Sequence, residues 1–172
     1  LVVTADHGMK PKHDANGEPS VVYGQDLLDQ WLGEAKARVI LPITDPYVVH
    51  HGALGSFATA YLPGEVDTTE ITEKLSNIEG ILLVINKSEA VKRFDLPPDR
   101  IGDIVIISTE NMTLGTSVDR HDLEALKEPL RSHGGLTEQE VPFIVNRKID
   151  LPEVPNLRNY DAFFYASIAA NN

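Results

Sequence analysis

The sequence predicts an α/β fold, with a mixed, mainly parallel sheet between helices and a small α+β domain inserted into it. Short apolar runs alternate with amphipathic segments along the 172 residues, as strands and helices do. The first run, Leu1–Ala5, is apolar almost throughout and ends in a polar loop, which is typical of a buried parallel strand. We therefore expect a core segment over 1–37, an inserted α+β cap domain over 38–118, and a return to the core over 119–172.

The core segment predicts a second strand and a helix behind a polar loop. Lys10–Ser20 is the loop, because it is polar and contains an Asn-Gly turn pair. Val21–Tyr23 is a short apolar strand. Apolar residues then recur three and four positions apart, so we predict an amphipathic helix over Gln25–Ala37.

The insertion predicts the order strand, strand, helix, strand, helix, strand over roughly residues 38–110. We expect both helices on one face of the sheet. Thr69 and Ser88 are the predicted N-terminal caps of the two helices, because each stands at the start of a helical pattern. The six elements are Val39–Ile43, Ser56–Leu62, Thr68–Asn77, Gly80–Asn86, Ser88–Phe94 and Asp103–Ser108.

The last segment predicts short elements and a final helix. They are a helix at Asp122–Pro129, a helical turn at Thr137–Glu140, a strand at Val141–Asn146, a proline-marked linker at 152–155 and a helix at Asp161–Ala170. The final helix is apolar on nearly every side, so we expect it to pack against a part of the protein outside this chain. The chain lacks an initial methionine and begins inside a strand pattern, which predicts the C-terminal portion of a longer protein.

The charge and composition narrow the class of partner. The net charge is −11, with 26 acidic and 15 basic side chains, which argues against binding to nucleic acid or to an anionic membrane. The chain has no cysteine, so it offers no disulfide and no thiolate, which fits the cytoplasm. No apolar run reaches about 18 residues, and the start lacks the pattern of a signal peptide. These observations favour a cytoplasmic protein with a small-molecule partner.

Two histidine-containing stretches predict a metal site. Asp6 and His7 follow the first strand, and Gly8 allows the chain to turn so that both side chains face one point. His133 stands before two glycines far downstream. Imidazole and carboxylate suit zinc, manganese or iron(II). We expect the two stretches to meet and hold metal, although two polar loops with glycine turns would give the same spacing.

Other histidines fit simpler explanations. His50 and His51 are adjacent, and adjacent side chains diverge in an extended segment, so we do not expect a metal site there. His121 precedes Asp122 at a predicted helix start, where an acidic residue is favourable in any case.

Several polar residues qualify for supporting roles. Lys10 and Lys12 are able to bind an anion, but a basic loop is usually solvated. Glu138 and Asn146 follow His133 in the chain and are candidates for side chains that orient it. No serine, histidine and aspartate order for a nucleophilic site is recognisable.

The residues that carry these predictions resemble a known superfamily. Thr4–Met9 resembles the second metal-binding block of the alkaline phosphatase superfamily, in its phosphodiesterase-like branch, and Ser132–Gly135 resembles the block with that branch's last histidine. Three longer stretches, Thr4–His13, Ile43–Gly52 and His133–Phe143, are similar to the phosphonoacetate hydrolase family. The resemblance extends over essentially the whole chain.

The resemblance implies an alkaline-phosphatase-like core and hydrolysis of the carbon–phosphorus bond of phosphonoacetate to acetate and phosphate. It implies two zinc ions about 4 Å apart, with manganese or iron less favoured. Asp6 and His7 would bind one ion and His133 the other. The family's threonine nucleophile, first aspartate, Asp-x-x-x-His pair and substrate lysines have no counterpart here, so they would lie upstream of Leu1. We therefore expect no catalytic residue in this chain, no activity from it alone, and a homodimer as an open possibility.

Two alternatives remain open at the level of sequence. One is another superfamily member, such as a nucleotide pyrophosphatase/phosphodiesterase or a cofactor-independent phosphoglycerate mutase. The other is a non-catalytic interaction module whose histidines are structural.

Overall fold

The largest sheet has four strands and is antiparallel throughout. The structure, a computed structural model, describes residues 1–43, 54–148 and 157–171. Within them the sheet runs in the order β4 (Arg38–Ile40), β5 (Phe57–Tyr61), β7 (Ile104–Ser108) and β6 (Ile81–Asn86). Period-two alternation and β-branched residues favour these strands, and β7, which has apolar residues at four successive positions, takes a central place.

Two helices cover opposite faces of this sheet. Ile71 and Leu75 of α2 (Thr68–Ser76) pack with Ile104 and Ile106, whereas α3 (Lys87–Phe94) packs on the other side with Val105 and Ile107. The predicted order of six elements is confirmed, but the prediction that both helices lie on one face is wrong. A strand that is apolar at every position exposes apolar surface on both faces, so each face needs a cover.

Both helices are capped two residues earlier than predicted. Asp67 accepts a hydrogen bond from the Thr69 amide at 2.8 Å, and Asn86 accepts one from the Glu89 amide at 3.0 Å. The predicted caps, Thr69 and Ser88, therefore lie inside the first turn. Asp and Asn are strong caps because their short side chains reach back to the free amides of that turn.

Three two-stranded ladders lie outside the four-stranded sheet. β1 (Val2–Thr4) pairs with β10 (Phe143–Val145), β2 (Lys10–Pro11) with β9 (Arg131–Ser132), and β3 (Val21–Tyr23) with β8 (Thr113–Gly115). Only β3 and β8 are parallel among the described pairs, so the expectation of a mainly parallel sheet is wrong for this part of the chain.

The first strand also differs from its prediction. β1 pairs antiparallel with β10, so the prediction of a parallel strand is wrong for the pairing within the described residues. An apolar run alone gives neither the direction of a partner strand nor what covers it.

The two remaining α-helices of the described residues lie outside the segment 38–110. α1 (Gly24–Leu32) ends at Gly33, whose φ of +98° favours glycine, before the predicted end at Ala37. α4 (Ala162–Asn171) contacts β1, and its Phe163 is 84% exposed. None of the helices in the described part of the chain is long and apolar enough to cross a membrane.

The helix predicted at Asp122–Pro129 is wrong, because turns occupy that stretch. Leu123 and Leu126 are its two large apolar side chains, and a short segment with so little apolar surface gains too little from packing to remain helical. The predicted linker at 152–155 lies outside the described residues.

Candidate functional site

Two antiparallel ladders bring the first histidine-containing loop against the second. Thr4, at the end of β1, pairs with Phe143, at the start of β10. Lys10, at the start of β2, pairs with Ser132, at the end of β9. The loop between β1 and β2 therefore faces the segment between β9 and β10. This register places the first loop, residues 5–9, opposite the second, residues 133–138.

The two imidazole rings are in contact. The ring centroids of His7 and His133 lie 3.7 Å apart, and the ring planes differ by 12°. The two stretches thus meet in space, as the sequence predicted. His7 and His133 are 126 positions apart in the sequence, so strand pairing rather than local structure brings them together.

The donor atoms of the first loop fit a cation. His7 Nδ1 lies 2.9 Å from the Gly8 carbonyl oxygen, which only accepts, so Nδ1 donates. Nε2 lies 3.6 Å from Asp6 Oδ2. Imidazole nitrogen and carboxylate oxygen are both zinc ligands, so a neutral His7 and Asp6 would offer a metal ion two donors side by side. The Asp6 side chain is 85% exposed, so that point is open to solvent.

The described residues supply only part of a metal centre. In the ranges 1–43, 54–148 and 157–171, no group of three or more His, Cys, Asp or Glu side chains is arranged to hold a metal ion. Asp6 and His7 form a pair, and His133 contacts the pair through its ring. The arrangement therefore offers donors for metal ions but not a complete ligand set.

The backbone of the first loop is held by neighbouring segments. The Gly8 amide donates to the Glu138 carbonyl oxygen at 2.7 Å. The Asn159 side-chain amide donates to the carbonyl oxygens of Ala5, at 3.2 Å, and Asp6, at 3.0 Å. A Cβ at Gly8 would lie 3.1 Å from the Glu138 oxygen, so a glycine permits this close approach.

The second loop is attached to the four-stranded sheet. The His133 carbonyl oxygen accepts from the Ser56 amide at 2.8 Å, and the Ser56 oxygen accepts from the Ser108 amide at 3.0 Å. The Ser132 hydroxyl donates to the Leu54 carbonyl oxygen. Gly134 has a φ of +101°, a conformation that favours glycine. His133 is therefore positioned through Ser56, the residue that precedes β5 of the four-stranded sheet.

A buried ion pair lies beneath the two loops. Lys12 is fully buried, and its Nζ lies 3.0 Å from Glu138 Oε1 and donates to the Glu110 carbonyl oxygen at 2.6 Å. Glu138 Oε2 accepts from the Gly135 amide at 2.7 Å, and Oε1 accepts from the Thr137 hydroxyl. The expectation that Lys12 is solvated is wrong. Its ion-pair partner, Glu138, lies 126 positions further along the chain and is buried together with it.

The environment of this pair favours the ionised carboxylate. Burial alone raises the pKa of Glu138, but hydrogen bonds from Thr137, Lys12 and the Gly135 amide outweigh it and hold the pKa below its ordinary value. Burial lowers the pKa of Lys12, and the hydrogen bond and charge of Glu138 oppose that effect. The pair is therefore stable because the carboxylate has several donors.

The other predicted residues lie elsewhere or are not described. The Asn146 amide donates to the Leu1 carbonyl oxygen at 3.2 Å, so Asn146 lies at the end of the β1–β10 ladder away from the two loops, and the prediction that it orients His133 is wrong. His121 Nε2 accepts from the Thr116 amide at 2.9 Å, which is a structural contact. The histidine pair at 50–51 lies outside the described residues, so its exclusion stays a prediction.

Asp6 and His7 lie on the wall of an open cleft of about 1470 Å³. Three cations, Lys92, Arg93 and Arg158, line the same cleft, and so do four carboxylates, Asp6, Asp95, Glu138 and Glu140. The cleft wall therefore carries charges of both signs, and the carboxylate of Glu138 is already paired with Lys12.

Comparison with known proteins finds close similarity to two solved structures. No protein-family profile matches the chain. The crystal structures of phosphonoacetate hydrolase from Sinorhizobium meliloti, in complex with phosphonoformate and with phosphonoacetate, are each 69% identical to it, with a TM-score of 0.89. The similarity covers 99% of this chain and 41% of those chains, so the chain spans less than half of their length.

A more distant similarity is to murine ectonucleotide pyrophosphatase/phosphodiesterase 5. It is 22% identical, with a TM-score of 0.48, over 83% of this chain and 32% of that chain.

Proposed function

The chain belongs to the phosphonoacetate hydrolase family, and on that premise we propose that it is part of a hydrolase that cleaves the carbon–phosphorus bond of phosphonoacetate, giving acetate and phosphate. The single observation that supports this most is the contact of the His7 and His133 rings beside the Asp6 carboxylate. Family membership indicates the reaction, and the ring contact indicates where in this chain its metal ligands lie.

Within this proposal, Asp6 and His7 bind one zinc ion and His133 binds a second. Bound zinc would act as a Lewis acid that neutralises phosphoryl oxygens and makes a hydroxyl nucleophile more acidic. The residues of this chain present the donors: Nε2 of His7 and Oδ2 of Asp6 face each other, and the hydrogen bond from Nδ1 to the Gly8 carbonyl fixes the imidazole orientation.

The remaining ligands and the nucleophile are proposed to come from outside this chain. A catalytic zinc ion generally has three protein ligands, and the described residues offer two to one ion and one to the other. A threonine nucleophile, a further aspartate and an Asp-x-x-x-His pair would complete both sites. This division predicts that these 172 residues alone do not turn over phosphonoacetate.

An anionic substrate at this site needs positive charge nearby. Phosphonoacetate carries a phosphonate and a carboxylate, and both repel a chain whose net charge is −11. The cleft wall has four carboxylates beside its three cations, so we propose that the bound metal ions would supply most of that positive charge. The cytoplasmic location and the homodimer stay predictions.

Phosphate release tests the proposal. The intact protein is stripped with a chelator and reloaded with zinc. It is then assayed for phosphate from phosphonoacetate, for nucleoside monophosphate from a nucleotide diester, and for the isomer formed from a phosphoglycerate. We expect zinc-dependent phosphate release from phosphonoacetate and little reaction with the other two. Hydrolysis of the diester without hydrolysis of phosphonoacetate would contradict the substrate assignment. Turnover by the 172-residue chain alone would show that the nucleophile lies within it.

A further inference from the structure

Glu138 bonds to both histidine-containing loops at once. Its backbone carbonyl accepts from the amide of Gly8, the residue after His7, at 2.7 Å. Its carboxylate accepts from the amide of Gly135, two residues after His133, at 2.7 Å. One buried residue therefore forms a direct link between the backbones that carry the two imidazole rings.

We propose that Glu138, held in place by Lys12, is a positioning residue that sets the separation of His7 and His133. Its effect on zinc binding rests on the proposed function, whereas its effect on the two rings does not.

The Lys12 side chain fixes where the carboxylate can lie. Lys12 follows β2, which comes after the first loop, and Glu138 is the last residue of the second loop, at the end of the turn Leu136–Glu138. The ion pair at 3.0 Å therefore closes a connection between the two segments. Both side chains are at most 1% exposed, and removing one partner of a buried pair leaves an uncompensated charge. The carboxylate consequently has little freedom to move away from Gly135.

The packing around Glu138 leaves little space for adjustment. A Cβ at Gly8 would lie 3.1 Å from the Glu138 carbonyl oxygen, and a Cβ at Gly135 would lie 2.9 Å from Glu138 Oε2. Both loops thus approach Glu138 as closely as a residue without a side chain allows. A displacement of Glu138 would be transmitted to both loops, and so to the 3.7 Å ring contact.

A purely structural role for the pair makes a different prediction. In that case, removing Glu138 would lower the stability of the protein without changing the relation between the two rings. Leu75→Ala serves as the matched control, because Leu75 is fully buried in the cluster on the α2 face of the four-stranded sheet. It lowers stability by cavity formation while leaving every contact of Glu138 in place.

The first measurement is made on the intact, metal-free protein by NMR with labelled histidine. The rings of His7 and His133 lie in each other's ring current, so their imidazole shifts report their separation. We expect Glu138→Ala and Lys12→Met to move both signals and to leave that of His121 unchanged, and Leu75→Ala to move none of the three. Unchanged His7 and His133 signals in a Glu138→Ala variant as destabilised as Leu75→Ala would overturn the proposal.

The second measurement is the zinc affinity of the same variants. Residues that orient metal ligands commonly contribute about 10- to 100-fold to affinity, and we expect a loss of that size for Glu138→Ala. Glu138→Gln retains an acceptor for the Gly135 amide, so it should recover part of the loss, and it serves if the alanine variant does not fold. Wild-type affinity in both variants would contradict the proposal. Shifted histidine signals in a protein that binds no zinc would instead reject the proposed function and leave the positioning role supported.

Discussion

The four-stranded sheet and the two-loop site are stabilised by different interactions. The sheet, with α2 and α3, is held by apolar side chains that pack on both of its faces. The site is held by hydrogen bonds and by the buried pair of Lys12 and Glu138. The apolar contacts are non-directional, whereas the polar ones depend on distance and angle. We therefore expect changes in the sheet to alter stability first and changes at the site to alter geometry and metal binding first.

The largest effect is expected from the proposed metal ligands. In the intact protein, Asp6→Ala and His133→Ala should abolish phosphate release from phosphonoacetate, because each removes a donor to a proposed zinc ion. The fold should be retained, since neither side chain belongs to the apolar clusters. Circular dichroism and a phosphate assay measure the two properties. His51→Ala is the comparison variant, and an effect as severe as that of His7→Ala would show that its exclusion is wrong.

Leu75→Ala is the corresponding change in the sheet. Leu75 is fully buried, and truncating a buried leucine costs about 2–5 kcal/mol of unfolding free energy. Chemical denaturation should show this loss, while zinc affinity and kcat per folded molecule stay at wild-type values. A parallel fall in zinc affinity would mean that the two regions are not independent in the way their contacts indicate.

Asn159→Ala tests a single anchor of the first loop. The variant loses the hydrogen bonds to the Ala5 and Asp6 carbonyl oxygens, each worth about 1 kcal/mol. We expect a several-fold weaker zinc affinity and a small change in stability. Asn77→Ala is the matched control, because it also removes a hydrogen bond from an asparagine side chain but far from the site. The Asn77 side-chain amide donates to the Glu73 carbonyl oxygen at 2.9 Å, at the end of α2. Equal zinc affinities in the two variants would show that Asn159 does not position the loop.

The smallest effect concerns acid. The pKa of Glu138 is lowered in the folded protein, so its carboxylate adds stability above the ordinary value of 4.5, and this is lost as pH falls through the lowered pKa. Urea unfolding of the wild-type protein should therefore show a drop in stability below about pH 4.5 that is smaller in Glu138→Gln. The same drop in both proteins would place the acid sensitivity elsewhere.

Much of the sheet was predictable because its signals are local. The alternation in Phe57–Tyr61 and the helical spacing around Ile71 and Leu75 each lie within one element. The placement of α2 and α3 on opposite faces was also predictable, since Ile104–Ile107 is apolar at every position and such a strand is buried on both faces. The direction of β1 was not predictable, because it depends on a partner strand 139 to 143 positions away.

The site was predictable in part for the same reason. Asp6, His7 and His133 stand in short, recognisable sequences with neighbouring glycines. The contact of Lys12 with Glu138 depends on the register of β2 with β9, which no local pattern encodes. Glu138 was a candidate for orienting His133, but no local pattern indicated that it also contacts Gly8.

The zinc content of the intact protein tests most directly whether the two loops form one two-metal site. After removal of free metal, the wild-type protein should retain two zinc ions per chain, and His133→Ala should retain about one, because the Asp6 and His7 ligands are still present. A wild-type protein without stoichiometric zinc, or a His133→Ala variant with the same zinc content as the wild type, would contradict the account.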